Sequence, residues 1–442
     1  MRPCRSNPKW LPLSSEPRTP RRGRSPSCRN ASPSFGVADP SSAQRPSSSE
    51  TRNTIMALNS RICEIFDIRY PIVLAGMGGA SVPRLAAAVS NAGGLGILGA
   101  AACSPEELRA WIREVRSLTD KPFGVDTLLP ASVRREVVDA AAGSGEGGKP
   151  SPMELLSDYQ AFAADFMRQE GLQEVARSRD GNKGEAQAGP AFFSKEFFEA
   201  QMEVVIEEAV PVYAAGLGNP GPWMERLREN GTKVMAVIGS VKHALQVAAS
   251  GIDVVVAQGH DGGGHNSPIG TMALIPQVVD AMAGRIPVLG AGGIADGRGV
   301  AAAMMLGAEG AWVGTAFLAT EEAGIQQFQK EVLVEYGDGD TIVSKSVTGK
   351  PARIIRNKWA QAWVDAEKSP LPMPFQSIIA GPVLAAATLD QRKDIAPGFA
   401  GQGMGLIKAI RPARDVLEDL VSGAETALAR ATVFAKPRKE IQ

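Results

Sequence analysis

Two of the three histidines in this 442-residue chain, His260 and His265, stand in one stretch: Asp253-Val254-Val255-Val256-Ala257-Gln258-Gly259-His260-Asp261-Gly262-Gly263-Gly264-His265. An imidazole titrates near neutral pH, so it can take up a proton under physiological conditions. The glycines before His265 let the chain fold tightly beneath a substrate, which makes His265 the candidate catalytic base. His260 reads as a residue that hydrogen-bonds within the loop. His243, beside Lys242 at a helix start, reads as a solvated one. No third ligand stands at a spacing that would complete a metal site with His260 and His265, so no metal is expected. The apolar run 254–257 reads as a strand of a parallel sheet, covered on both faces. A polar loop where such a strand ends is where α/β proteins build their active sites.

Two more loops carry phosphate chemistry. Leu289-Gly290-Ala291-Gly292-Gly293-Ile294 and Trp312-Val313-Gly314-Thr315 each end a strand-like run in glycine. Backbone N–H groups can reach an anion there because no side chain intervenes. Two other stretches satisfy GxGxxG, and neither reads as a dinucleotide site. Gly94–Gly99 is itself strand-like. Gly216–Gly221 opens a helix, but the next strand ends Val237-Ile238-Gly239-Ser240 without the acid that would hold a ribose. The second is a tight strand-to-helix turn.

These loops need a scaffold, and the pattern supplies one. Strand-like runs at 71–76, 94–99, 122–129, 210–216, 233–239, 253–259, 287–293 and 310–318 alternate with amphipathic stretches such as 82–91, 105–117, 222–230 and 241–250. Eight strands with intervening helices predict an α/β fold, a (β/α)8 TIM barrel; a doubly wound open sheet is the alternative. The phosphate loops then follow the seventh and eighth strands, the usual phosphate site of such barrels. Some eighty residues separate the third and fourth strands, a long insertion over about 130–209, with helices expected at 152–171 and 195–209 around low-complexity and charged stretches (142–152 and 177–189). Beyond 318 the repeat stops. A C-terminal extension (321–442) with helices at 321–336 and 412–435 is expected to pack on the barrel (56–320).

Composition bounds the partners. Lys+Arg and Asp+Glu are 47 each, which offers no basic face for nucleic acid, and no apolar run approaches a membrane span. The four cysteines form no CxxC pair, so a reduced, intracellular protein is expected. Residues 1–55 are rich in Arg, Ser and Pro and poor in acids. They read as a disordered extension, with a mitochondrial transit peptide or a start at Met56 as alternatives to a plain cytoplasmic protein.

The ordered motifs resemble the nitronate monooxygenase (2-nitropropane dioxygenase) family. Ala75-Gly76-Met77 stands where the family has Ala-Pro-Met, followed by Gly93-Gly94-Leu95-Gly96, Phe123-Gly124-Val125-Asp126, the histidine loop, the two phosphate loops and Gly349-Lys350-Pro351-Ala352-Arg353. The resemblance covers about 60–435. It implies FMN and the oxidation of alkyl nitronates (nitroalkanes) with O2, giving carbonyl compounds and nitrite. It also implies site roles: Ala75, Gly76 and Met77 face the flavin, Asp126 lies near it, Gln258 bonds the cofactor beside Gly263, Gly292, Gly293, Gly314 and Thr315 hold the phosphate, and His265 sits over the ring. The partners implied are a small-molecule substrate and O2, with a homodimer left open. Asp126 departs from the family's Asn, losing the amide's donor unless protonated, and Asp261-Gly262 replaces Glu-Ala. Trp312 stands where many relatives have Gln. Flavin-type enoyl-acyl carrier protein reductases share the Gly-Gly-His loop, a turn like Gly216–Pro220 and the Gly-Gly-Ile-Ala-Asp-Gly of 292–297, so NAD(P)H-dependent enoyl-thioester reduction is the alternative activity.

Overall fold

The computed structural model describes residues 58–129, 152–173 and 194–431. The N-terminal extension and the stretches 142–151 and 177–189 lie outside them. Eight parallel strands form the barrel: β1 (Ile72–Leu74), β2 (Gly96–Gly99), β3 (Phe123–Leu128), β4 (Val212–Leu217), β5 (Lys233–Ile238), β6 (Val254–Gln258), β8 (Val288–Ala291) and β9 (Ala311–Val313). They pair in the order β1-β9-β8-β6-β5-β4-β3-β2. The ring closes through Leu74 N–H to Leu95 O and Leu95 N–H to Ile72 O, both 2.9 Å. A short strand β7 (Gly264–His265) belongs to a separate three-stranded sheet with β10 (Thr341–Ser344) and β11 (Ala352–Ile355).

Alternation along each strand separates two cores. Val73, Leu95, Ile97, Val212, Ala214, Met235, Val254, Val256, Leu289 and Trp312 fill the interior, and Ile62 and Phe66 of helix α1 (Arg61–Phe66) pack into the same cluster. Ile72, Leu74, Leu98, Val125, Tyr213 and Val255 face outward onto the helices. This is a packed core rather than a pore, as eight strands require. The outer layer is α2 (Pro83–Asn91), α3 (Pro105–Leu118), α5 (Lys195–Glu207), α6 (Met224–Glu229), α7 (Val241–Ala249), α8 (Thr271–Met282) and α9 (Gly297–Met305), whereas α4 (Pro152–Gln169), from the insertion, packs on the C-terminal excursion. Gly96 shows how closely they approach: a methyl group there would lie 1.8 Å from the Ala86 carbonyl oxygen of α2.

The eighth unit departs from expectation. The last strand stops at Val313 and the chain turns at once into α10 (Thr315–Leu318), so the run 310–318 is not all strand. Nor does the repeat stop there. The chain leaves at Ala319–Glu321 and returns beside itself, with Arg411 N–H to Ala319 O (3.2 Å) and Glu321 N–H to Arg411 O (3.1 Å). It then forms α14 (Ala413–Ala431), which packs on α9 and α2 and so fills the place of the eighth barrel helix. Gly297 and Gly423 permit this approach, since a methyl group at Gly297 would lie 2.3 Å from Ala424 N. Between departure and return lie α11 (Gln327–Glu335), β10, β11, α12 (Lys358–Asp365) and α13 (Phe375–Leu389). The helix expected from 321 begins only at Gln327, where the Gln326 and Gln329 side chains form a capping box.

This excursion shares a core with the insertion. Tyr159, Phe162 and Phe166 of α4 meet Trp359 and Trp363 of α12 with ring centroids 4.8–5.8 Å apart. Lys358 and Arg392 also bridge to Glu170, but such partly exposed pairs contribute about 0–1 kcal/mol each. Burying one large side chain is worth about 1.5–3 kcal/mol. Ring packing therefore holds the two excursions together. Among the described residues, Cys63 and Cys103 are buried and free, and burial pushes the Cys103 thiol up to about 12. No described helix is long and apolar enough to cross a membrane.

Candidate active site

The histidine loop leaves β6 at the C-terminal mouth of the barrel. Gln258, the last strand residue, donates from Nε2 to the His265 carbonyl (2.8 Å), so the strand end holds the loop's far side. His260 works within the loop, as expected: its N–H donates to Ile269 O (2.7 Å) and its Nδ1 lies 2.9 Å from Ser267 O. The His260 carbonyl accepts from Asn266 Nδ2 (3.0 Å) and from Arg353 Nε and Nη2 (3.2 and 3.1 Å). Asp261 has a structural task. Its Oδ2 accepts the Thr271 N–H (3.1 Å), capping α8, whose own N-cap residue Gly270 has no side chain to do so.

His265 itself is placed by the C-terminal excursion. Ala352 and Arg353 of β11 pair with His265 and Gly264 of β7, and Gly264 takes φ +71° to make the turn. The imidazole Nε2 lies 2.8 Å from Thr348 Oγ1. That hydroxyl also accepts the Lys350 N–H (3.3 Å) and lies 3.4 Å from the Lys350 carbonyl, so Thr348 occupies Nε2 and leaves Nδ1 as the ring nitrogen without a partner among the described residues. Burial, and secondarily the charge of Lys350, lowers the imidazole from its ordinary 6.5 to about 4. The ring is neutral at neutral pH, able to accept a proton beside a fixed cation.

The other expected residues gather at the same mouth. Ala75 N–H bonds Val313 O (2.8 Å), tying the end of β1 to β9, and Ser81 Oγ donates to Ala75 O (2.8 Å) and accepts Met77 N–H (3.2 Å). Met77 covers Gly314: a methyl group there would lie 3.3 Å from its sulfur. Gly292 and Gly293 adopt φ +100° and +75°, a backbone that L side chains rarely take. Gly292 lies against the histidine loop, where a methyl group would be 3.0 Å from Gly259 O and 3.1 Å from Gly262 N. The N–H groups of Gly292, Gly293, Gly314 and Thr315 have no acceptor among the described residues. Free amides on left-handed glycines form an anion-binding nest, so the residues present fit the phosphate of a mononucleotide. Asp126, at 7% exposure, lies on β3 in the floor of the mouth.

Three contributors were not foreseen. Thr348 stands just before the Gly349–Arg353 motif and Lys350 within it, but nothing in that run gave either residue a role at the histidine. The third, the loop around Ala400–Gly403, closes over the site. Gly401 N–H donates to Thr315 Oγ1 (3.0 Å), Gln402 N–H to Asp261 O (2.9 Å), and a methyl group at Gly263 would lie 2.8 Å from the carbonyl carbon of Ala400. Its signal was present in Gly398-Phe399-Ala400-Gly401-Gln402-Gly403-Met404-Gly405, the same glycine density that marked the phosphate loops.

A (β/α)8 barrel with an imidazole and an anion nest at its C-terminal mouth is the architecture of a mononucleotide-binding barrel enzyme, and sequence and structure comparisons specify the class as an oxidoreductase. The nitronate monooxygenase family pattern matches residues 59–423, and the chain belongs to that family. A Mycobacterium tuberculosis protein named as a monooxygenase is 36% identical over 82% of this chain and 96% of its own. Among solved structures, the nitroalkane oxidase of Streptomyces ansochromogenes is 30% identical, covers 85% of this chain and 100% of its own, and superposes with a TM-score of 0.67. FabK of Thermotoga maritima is 31% identical, with coverage of 85% and 99% and a TM-score of 0.62.

Proposed function

We propose that this enzyme binds FMN at the barrel mouth and oxidises alkyl nitronates with O2 to carbonyl compounds and nitrite. The observation that carries the reading is a neutral imidazole, His265, which lies beside Lys350 and stands on the same loop whose Gly259–Gly262 segment packs against the unpaired amides of the phosphate nest. When bound, FMN supplies the redox chemistry between nitronate and O2. Gly292, Gly293, Gly314 and Thr315 would hold its phosphate through their N–H groups, and Ala75, Gly76, Met77, Gln258 and Gly263 line the mouth around it. His265 Nδ1 takes the α-proton of a neutral nitroalkane. Lys350 favours the anion so formed while disfavouring a second charge on the imidazole. The 398–405 loop covers the site and limits water.

Thr348 acts through His265. Thr348→Val removes the hydroxyl that fixes the ring, and kcat/KM for a neutral nitroalkane is expected to fall by about tenfold. Thr348→Ser should restore it, and steady-state kinetics on the two variants checks both.

The likeness to FabK favours one competing activity, enoyl-thioester reduction by NAD(P)H, the alternative raised by the sequence. Anaerobic stopped-flow mixing separates the two. Rapid flavin bleaching by a preformed nitronate, with slow bleaching by NADH and NADPH, is the expected result. The reverse pattern overturns the proposal in favour of the reductase.

A further inference from the structure

Asp126 is a buried carboxyl group with no counter-charge among the described residues. Its side chain bridges the ends of β1 and β4: methyl groups placed on Gly76 and Gly216 would lie 2.3 Å from its Oδ2 and Oδ1. Both positions must be glycine for the carboxyl to occupy the floor of the mouth. The groups packed around it are few. β4 contributes Tyr213, whose hydroxyl is already paired with Thr127 Oγ1 (2.9 Å) and whose ionisation burial pushes up. The turn after β2 approaches through its backbone alone, the Ala100 N–H bonding the Asp126 carbonyl (2.9 Å). The end of β1 contributes Gly76 and Met77, which do not titrate. Among the described residues no cation faces the carboxyl, and the Gly216 N–H is the contact that favours its charge.

An isolated carboxylate in such a site is costly, and the group escapes the cost by keeping its proton. Burial accordingly holds Asp126 well above the usual carboxylate range. A neutral carboxylic acid carries an O–H that needs an acceptor. None of the described residues accepts it, and the floor it occupies is where a flavin ring would lie.

Resting on the FMN reading above, we propose that Asp126 is a hydrogen-bond donor to the flavin in its neutral form, so that ionising this one side chain weakens FMN binding. The acid here takes over the donor role an amide would serve, and adds a pH dependence that an amide lacks. As pH rises the proton is lost, the donor becomes an acceptor-only anion, and affinity declines. The slope is up to tenfold per pH unit in the range where bound and free forms differ in protonation.

The test is equilibrium binding of FMN to the flavin-stripped full chain and to its Asp126→Asn variant, measured from about pH 6 to about pH 9. The variant reports the ionisations of FMN itself, so the quantity read is the ratio of wild-type to variant affinity. That ratio is expected to fall at least about tenfold across the range, with Tyr213→Phe behaving as wild type. A ratio constant within about twofold overturns the proposal. If Asp126→Asn does not fold, Asp126→Ser serves as the pH-insensitive reference. Failure of every form to bind FMN at any pH refutes the cofactor reading instead, which keeps the two outcomes apart.

Discussion

Replacing His265 by alanine is expected to lower kcat/KM for a neutral nitroalkane by at least about 100-fold while leaving turnover of preformed nitronate within about tenfold, because positioned proton transfer contributes about 10²–10⁴ in rate. The asymmetry follows from the assigned role: a preformed nitronate has already lost the α-proton. The pH dependence carries a sign. A base acts in its unprotonated form, so the rate on nitroalkane rises as the imidazole loses its proton and is flat above that point. Burial and Lys350 lower His265 to about 4, so the acid limb should fall well below pH 6.5 rather than at it. Steady-state assays with both substrates, from about pH 4 to pH 8, read both features. Equal losses on nitroalkane and nitronate would remove proton abstraction from the account. His265→Gln is the companion variant, since it retains volume and a hydrogen-bonding group opposite Thr348.

Gly292→Ala is expected to yield a folded protein that has lost most of its FMN. The backbone there sits at φ +100°, where an L residue is strained by about 1–2 kcal/mol. The new methyl group would press on Thr271 Oγ1 at 2.7 Å and on the Gly259 carbonyl at 3.0 Å. The hydroxyl can rotate away, whereas the carbonyl belongs to the catalytic loop and moves only with it. Relief of either strain turns the Gly292 and Gly293 N–H groups away from their common focus. A loss of at least about tenfold in FMN affinity, about 1.4 kcal/mol, is anticipated. Flavin content after exhaustive dialysis and a binding titration measure it, with the melting curve as a check on folding. Full retention of FMN would show that the anion is held elsewhere.

The barrel was legible because its signals are local. Most strands are short apolar runs ending in glycine, and Val254 to Gln258 or Val288 to Ala291 can be read without knowing the partner strand. The turn at Gly216–Gly221 was readable for the same reason: Gly218 takes φ +106° and Asn219 Oδ1 accepts the Gly221 N–H at 3.0 Å. Non-local signals were not legible. β7 is two residues long and exists only because β11 lies beside it, so no periodicity in the histidine loop announces a strand. Thr348 reaches the imidazole across 83 positions of sequence. The return of the chain at Arg411 to place α14 as the eighth outer helix depends on backbone bonds to Ala319 and Glu321 that no window of sequence contains. Asp126 was half readable: its departure from an amide was visible, but its lack of a counter-charge among the described residues required the packing of β1, β3 and β4.

The central claim is a flavin mononucleotide held by the glycine nest with His265 leaning on its site, and the visible absorption spectrum of the purified full chain, before and after titration with FMN, tests it most directly. A yellow protein with an oxidised-flavin spectrum, or an apoprotein that takes up one FMN per chain, is the predicted result. A folded, colourless protein that leaves added FMN free in solution contradicts it.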